Sequence, residues 1–355
     1  MVHTIEEIRM DGTGIKLQGE HRLLLVSSLF YFRIPRERWR DRMQLLKAAG
    51  YHAIDVYFPW NYHQISPDEW CFEENRDVEY FLKLAAENEL YVIARPGPYI
   101  CSEWDGGGIP AWLWEKEVAV RQDDAVFLQE MQSWYGKILP IIAKYQLGMQ
   151  GTVICMQIEN ELDFYRCVSP VSYMDKLKRM AEGLEIRVPL FYCCGQNDML
   201  RGGGLTPGLY TAFNVYAAGD NENLEQRVAH LYDSVQERDM PLLVTETNRE
   251  HGYLKRLLAC GAKLISPYNQ TAGSTMDYYN GISNWGTDEE PTAFMTSDYD
   301  FKSMIGSAGE VNGEFMEARL LSGLIGTLGE DLAKAVPSYD EDVSICSAGK
   351  VNTVI

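Results

Sequence analysis

Eight short apolar runs, each followed by a stretch that can be helical, constrain the fold of this chain more than any other feature. The runs are 23–32 (LLLVSSLFYF), 52–58 (HAIDVYF), 91–97 (YVIARPG), 152–160 (TVICMQIEN), 190–195 (LFYCCG), 209–215 (LYTAFNV), 242–248 (LLVTETN) and 263–269 (KLISPYN). They are too short for helices and rich in Val, Ile, Phe and Tyr, so they read as buried strands. Amphipathic stretches lie between them at 35–50, 77–89, 125–145 and 223–237. Pro35 suits a first helical position and Gly50 a position just past a helix end. Strand–helix alternation repeated eight times implies an α/β fold, a parallel sheet closed as a (β/α)8 TIM barrel with long strand-end loops. Such a barrel needs roughly 250 residues and often carries insertions, which fits a chain of 355.

The stretch 270–305 reads as a long loop above the barrel, and 309–336 as the last helix. Residues 1–336 are therefore expected to form the catalytic barrel. Residues 337–355 look like a C-terminal extension or the start of a truncated β domain. The formal net charge of −19 argues against nucleic acid and anionic membrane surfaces, which would be repelled, but not against a neutral substrate such as a sugar. No apolar stretch approaches the roughly 20 residues of a membrane helix. The N-terminus lacks a basic start followed by an apolar run, so the cytoplasm is the expected compartment. The eight cysteines form no CxxC pair and the six histidines no HxxxH or HxH, so neither a structural zinc nor a disulfide framework is expected. Gly106–Gly108 and Gly202–Gly204 do not precede GK[ST], so they are not phosphate loops. The 36–42 segment reads as a solvated helix face.

In such barrels chemistry sits at the C-terminal ends of the strands. The fourth run ends Gln157-Ile158-Glu159-Asn160-Glu161 and the seventh Val244-Thr245-Glu246-Thr247-Asn248. Acidic residues disfavour strands and are rarely buried without a partner or a task. Two glutamates at facing strand ends are what glycoside hydrolysis needs: one protonates the leaving oxygen and one attacks the anomeric carbon. Glu159 and Glu161 share a strand face by the two-residue period. Glu161 lies nearer the mouth and is preferred, whereas Glu159, deeper, would need a cation such as Arg95. Glu246 is preferred to Glu250, which falls in a turn. The competing reading makes the glutamates structural, satisfied by Arg33 or Arg95. Catalysis also requires the acid protonated and the nucleophile ionised, hence two different environments. Asn160 can donate to a sugar 2-hydroxyl. Trp60, Trp104, Trp112 and Trp285 lie in strand-end loops where aromatic faces can stack on sugars, with Trp104 the best candidate for a pocket wall. His63 reads as a scaffold residue.

At these residues the chain resembles glycoside hydrolase family 35, the β-galactosidases. The blocks at 30–64, 77–113 and 151–162 look like the family's successive signatures, and VTETNREHGY (244–253) and TSDYDF (296–301) resemble later ones. The resemblance implies Glu161 as acid/base with Asn160 beside it, Glu246 as nucleophile, and Tyr57, Ser102, Glu103 and Tyr299 lining the sugar pocket, without a cofactor. The chain departs from the pattern at Phe30, where the family has histidine, at Gln64, where it has glutamate, at Ser102, where alanine is common, and over 270–286. These departures leave the glutamates intact and bear on the sugar preference. The expected activity is retaining hydrolysis of terminal non-reducing β-D-galactosyl residues of a β-galactoside or related oligosaccharide. The alternatives are the same mechanism on another β-sugar such as glucosamine, and a non-catalytic carbohydrate-binding relative. Oligomeric state is left open.

Overall fold

The computed structural model describes residues 7–217, 223–276, 279, 282–283, 289, 293–338, 345–348 and 351–354. Eight parallel strands close into a barrel in sequence order: β1 (Leu24–Ser28), β2 (Ala53–Tyr57), β3 (Tyr91–Arg95), β4 (Val153–Asn160), β5 (Leu190–Cys194), β6 (Tyr210–Val215), β7 (Leu243–Thr247) and β8 (Leu264–Pro267). Each is followed by a helix: α1 (Trp39–Ala49), α2 (Val78–Glu87), α3 (Ala125–Lys144), α4 (Pro170–Gly183), α5 (Met199–Gly203), α6 (Leu224–Gln236), α7 (His251–Ala259) and α8 (Gly313–Lys334). The (β/α)8 expectation is thus met, strand for strand.

Local chemistry explains the helix ends. Asp77 accepts a hydrogen bond from the Tyr80 N–H at the start of α2, and Asp124 accepts from Val126 and Phe127 at the start of α3. Gly50 ends α1 at φ 90°, its N–H returning to Leu46 and Lys47. A Cβ there would also lie 2.0 Å from the Ser322 hydroxyl on α8. Pro35 precedes one 3-10 turn, Arg36–Arg38, before α1 begins at Trp39.

An antiparallel sheet of Ile8–Asp11, Gly14–Leu17 and Glu20–Arg22 precedes the barrel, outside the eight apolar runs. It buries Ile8, Met10, Ile15 and Leu17. Tyr210, at the start of β6, donates to the Met10 carbonyl at 2.7 Å. The sheet therefore sits at the end of the barrel away from the strand C-termini. The 270–305 stretch is not wholly irregular: Gly273–Ser274 pairs with Asp298–Tyr299, which fixes Tyr299 near the barrel mouth. Beyond α8, Ile345–Ala348 pairs with Val351–Val354. No helix among the described residues is long and apolar enough to cross a membrane.

Candidate active site

All eight residues of β4 are buried, and so are all five of β7. A charged side chain ending either strand has to find its partners inside the barrel. Glu246 finds three. Arg95 donates from Nη2 at 2.6 Å to Oε1, the Tyr57 hydroxyl donates to the same oxygen at 2.9 Å, and the Tyr216 hydroxyl donates to Oε2 at 3.2 Å. An acceptor-only carboxylate matches three converging donors. Arg95, 1% exposed, also donates from Nη1 to Asp55 at 2.8 Å, so one guanidinium joins two carboxylates.

Glu161 stands just past β4 in the left-handed region, φ 49°, its N–H bound to the Cys193 carbonyl at 3.1 Å. Asn214 donates to Oε1 at 2.9 Å and Asn160 to Oε2 at 3.5 Å, and no cation pairs with it among the described residues. Burial first, and then the charge of Glu246, push its carboxyl up to about 8. Asn160 connects the two halves of the site, since its Oδ1 accepts from Arg95 at 2.5 Å while its Nδ2 faces Glu161. The glycine after β5 is required here. A Cβ on Gly195 would lie 2.1 Å from the Phe164 ring and 2.5 Å from Glu161 Oε1.

Glu159 does not share the mouth. It accepts from Arg121 at 3.0 Å and from the Tyr173 hydroxyl on α4 at 2.8 Å. The expected two-residue alternation fails because the β4–β5 register shifts: Gln157 pairs with Phe191, but Asn160 with Cys193. Its cation is therefore Arg121 rather than Arg95. Glu250 is exposed at the start of α7, away from the pocket.

Cys101, Ser102 and Glu103 form an uncommon backbone turn, with successive φ values of 54°, 58° and 42°. Each non-glycine residue there costs about 1–2 kcal/mol. Buried Arg33 holds the turn, donating to the Ser102 hydroxyl at 3.1 Å and to the Ser102 and Glu103 carbonyls at 2.8 and 3.0 Å. The turn presents Glu103 inward, where the hydroxyls of Tyr299 and Tyr268 both donate to Oε2. Burial raises the Glu103 carboxyl against these bonds and the charge of Arg33.

These groups border an open cavity of about 700 Å³ whose wall includes Ser102, Glu103, Glu161 and Glu246. Tyr57, Asn160 and Tyr299 are buried behind this wall and hydrogen-bond to its glutamates. Trp104 is a correction: it is 1% exposed, stacked 4.7 Å from Tyr279 and edge-on to Phe32 at 4.8 Å, with its indole N–H on Asn61. The left-handed turn carries the chain away from the cavity before Trp104. Trp60 is also core, stacked on Trp134, and Trp285 lies outside the described residues. His63 is a scaffold residue, bonded to Tyr31 and to the Cys71 carbonyl. Arg33 binds backbone carbonyls rather than a buried acid. Phe30 is fully buried with its ring 5.2 Å from Tyr57 and 5.7 Å from Tyr299, an apolar prop under the floor.

Sequence reasoning missed Asp55, Asn214, Tyr216 and Tyr268. Asp55 is an acid inside an apolar run, Tyr268 is the last residue but one of the eighth run and Tyr216 follows the sixth. Asn214, Tyr216 and Tyr268 carried the same strand-end signal that marked the glutamates. Among the described residues no group of three or more His, Cys, Asp or Glu side chains could hold a metal ion.

Arg95 is expected to be the main structural dependency of the site. Arg95→Leu would leave Asp55, whose carboxyl burial already pushes up to about 7, without its cation. The expected cost is about 3–5 kcal/mol, read by urea unfolding. The variant's fold favours protonated Asp55, so the loss should grow as pH rises. A loss independent of pH would place the effect elsewhere.

The sequence profile of Glycosyl hydrolases family 35 matches residues 15–325. Human beta-galactosidase is 34% identical over 328 residues, covering 88% of this chain and 47% of the human protein. The Mus musculus beta-galactosidase-1-like protein is 32% identical over 306 residues, 80% of this chain and 45% of its own length. The chain thus spans about half the length of these relatives. The crystal structure of beta-galactosidase from the psychrophilic Marinomonas ef1 superposes with a TM-score of 0.59 at 11% identity, covering 88% of this chain and 62% of that one, a likeness of fold. With its profile match, its relatives and its closed barrel, the chain belongs to glycosyl hydrolase family 35.

Proposed function

We propose that this protein is a retaining exo-β-glycosidase that hydrolyses terminal, non-reducing β-D-galactosyl residues. The observation that carries the reading is two carboxylates on one cavity in opposite environments: Glu246 paired with Arg95, and Glu161 buried without a cation and pushed up to about 8. That polarity assigns the roles. Glu246 attacks the anomeric carbon while Glu161 passes its proton to the leaving oxygen, breaking the glycosidic bond. Glu161, now a carboxylate, takes a proton from water as the water's oxygen displaces Glu246 from the same carbon, which restores both groups. Glu103, held by two tyrosines, supplies an acceptor for sugar hydroxyls, and the family's β-galactosidases support galactose as that sugar.

The second reading, the same mechanism on another β-sugar, draws on Phe30, an apolar group under the floor where the family pattern has histidine. A panel of p-nitrophenyl β-D-glycosides separates the two. Among the neutral glycosides the galactoside is expected to be cleaved fastest, with the β-anomer as first product by proton NMR. Faster cleavage of the glucosaminide would overturn the sugar, and an α-anomer the retaining mechanism.

A further inference from the structure

One cation on the cavity has no task in the reaction just described. Arg249 lines the pocket that holds Glu103, Glu161 and Glu246, yet it pairs with no carboxylate among the described residues. The other arginines near the site are committed: Arg95 to Asp55 and Glu246, Arg121 to Glu159, Arg33 to the Ser102–Glu103 turn. Arg249 spends one N–H on the Tyr268 carbonyl at 3.3 Å, and its guanidinium lies 5.5 Å from the Phe301 ring centroid. A guanidinium has five N–H donors in a planar fork, so most of this fork is left for a ligand. The cations that act on Glu103 and Glu161 are Arg33 and Arg95, so Arg249 is not needed to offset those carboxylates.

Its position is also built rather than incidental. Only residues 248–250 connect β7 to α7. The Asn248 side chain accepts from the Ala217 N–H at 2.8 Å, and fully buried Gln270 donates to the Arg249 carbonyl at 2.7 Å. The backbone that carries this half-buried side chain is thus anchored at Asn248 and at the Arg249 carbonyl. Tyr268, whose carbonyl Arg249 holds, donates its hydroxyl to Glu103 at 3.2 Å. Arg249 therefore shares with Tyr268 and Glu103 the wall of the pocket. Placing a half-buried, unpaired fork there favours a planar or tetrahedral oxyanion, which it can bind through two parallel N–H bonds.

We propose that Arg249 recognises an anionic group, a carboxylate or a sulfate ester, on the terminal sugar of the substrate. The inference rests on the glycosidase reading above and narrows its substrate class to acidic β-glycosides. The test compares kcat/KM of the wild type, Arg249→Gln and Arg249→Lys on three p-nitrophenyl substrates: the β-D-galactoside, the β-D-galacturonide and the 6-sulfo-β-D-galactoside. The wild type should prefer one acidic substrate over the neutral one by about tenfold or more. Arg249→Gln should lower that ratio by a similar factor and Arg249→Lys should restore part of it. Which acidic arm wins distinguishes carboxylate from sulfate. A neutral galactoside that is cleaved best, with a ratio unmoved in Arg249→Gln, overturns the inference and leaves the glycosidase reading standing. Failure to cleave any arm overturns both. Calorimetry of free galacturonate and of galactose 6-sulfate against galactose on the wild type needs no variant to fold, and binding of neither acidic sugar more tightly than galactose would overturn the inference.

Discussion

Glu246→Gly is expected to lose hydrolysis of p-nitrophenyl β-D-galactoside by a factor on the order of 10⁵ in kcat, as removal of a catalytic nucleophile does. Added azide is expected to restore turnover with an α-galactosyl azide as product. The reason is geometric. Azide occupies the space vacated on the Glu246 face and attacks the anomeric carbon from there, while the nitrophenolate leaves without needing a second step. The variant should fold, because Arg95 keeps Asp55 at 2.8 Å and is not left unpaired. Tyr57 and Tyr216 lose an acceptor, but Tyr216 lines the cavity and the space left by the Glu246 side chain admits water to the Tyr57 hydroxyl. Retained activity would remove Glu246 from the reaction. A β-configured azide would make it something other than the nucleophile.

Glu161→Ala is expected to have the second largest effect, with a different signature. General acid catalysis contributes about 10²–10⁴-fold, and the full loss should appear on substrates with poor leaving groups, such as alkyl galactosides. The nitrophenyl galactoside, whose leaving group needs little protonation, should lose much less in the glycosylation step. Azide should rescue this variant too, but with the β-configuration, because the glycosyl-enzyme on Glu246 forms first and azide then replaces water. The pH profile follows from the same residue. Its carboxyl, pushed up to about 8 by burial and by Glu246, must be protonated to act as an acid. Activity of the wild type should therefore fall as pH rises through about 8, and this alkaline limb should be absent in Glu161→Gln. Equal losses on good and poor leaving groups would contradict the acid role.

The difference between the two carboxylates was only half visible in the linear chain. Both ended apolar runs, which is a local signal, and both are at the cavity. What separates them is the company each keeps. Arg95 reaches Glu246 across 151 positions and Asp55 across 40, and no spacing rule predicts that these three meet. Glu159 shows the limit more sharply. A two-residue period places it beside Glu161, and the register shift between β4 and β5 turns it to Arg121 and Tyr173 instead. Trp104 follows the same logic: its neighbour Glu103 faces the pocket, and three left-handed residues aim the indole into the aromatic core.

From consecutive residues alone came the order of the eight strands and five of the eight helices, because strand length, β-branched content and helix amphipathicity are local properties. The linear chain also determined which two acids end strands at the mouth. Only the closed barrel decided which partners each acid meets and which aromatic side chains support them. Those properties depend on burial and on groups brought together from distant strands: Arg95 from β3, Asn214 from β6, and Tyr268 just past β8. A carboxyl's proton affinity is a property of its surroundings, and the surroundings exist only once the barrel has closed.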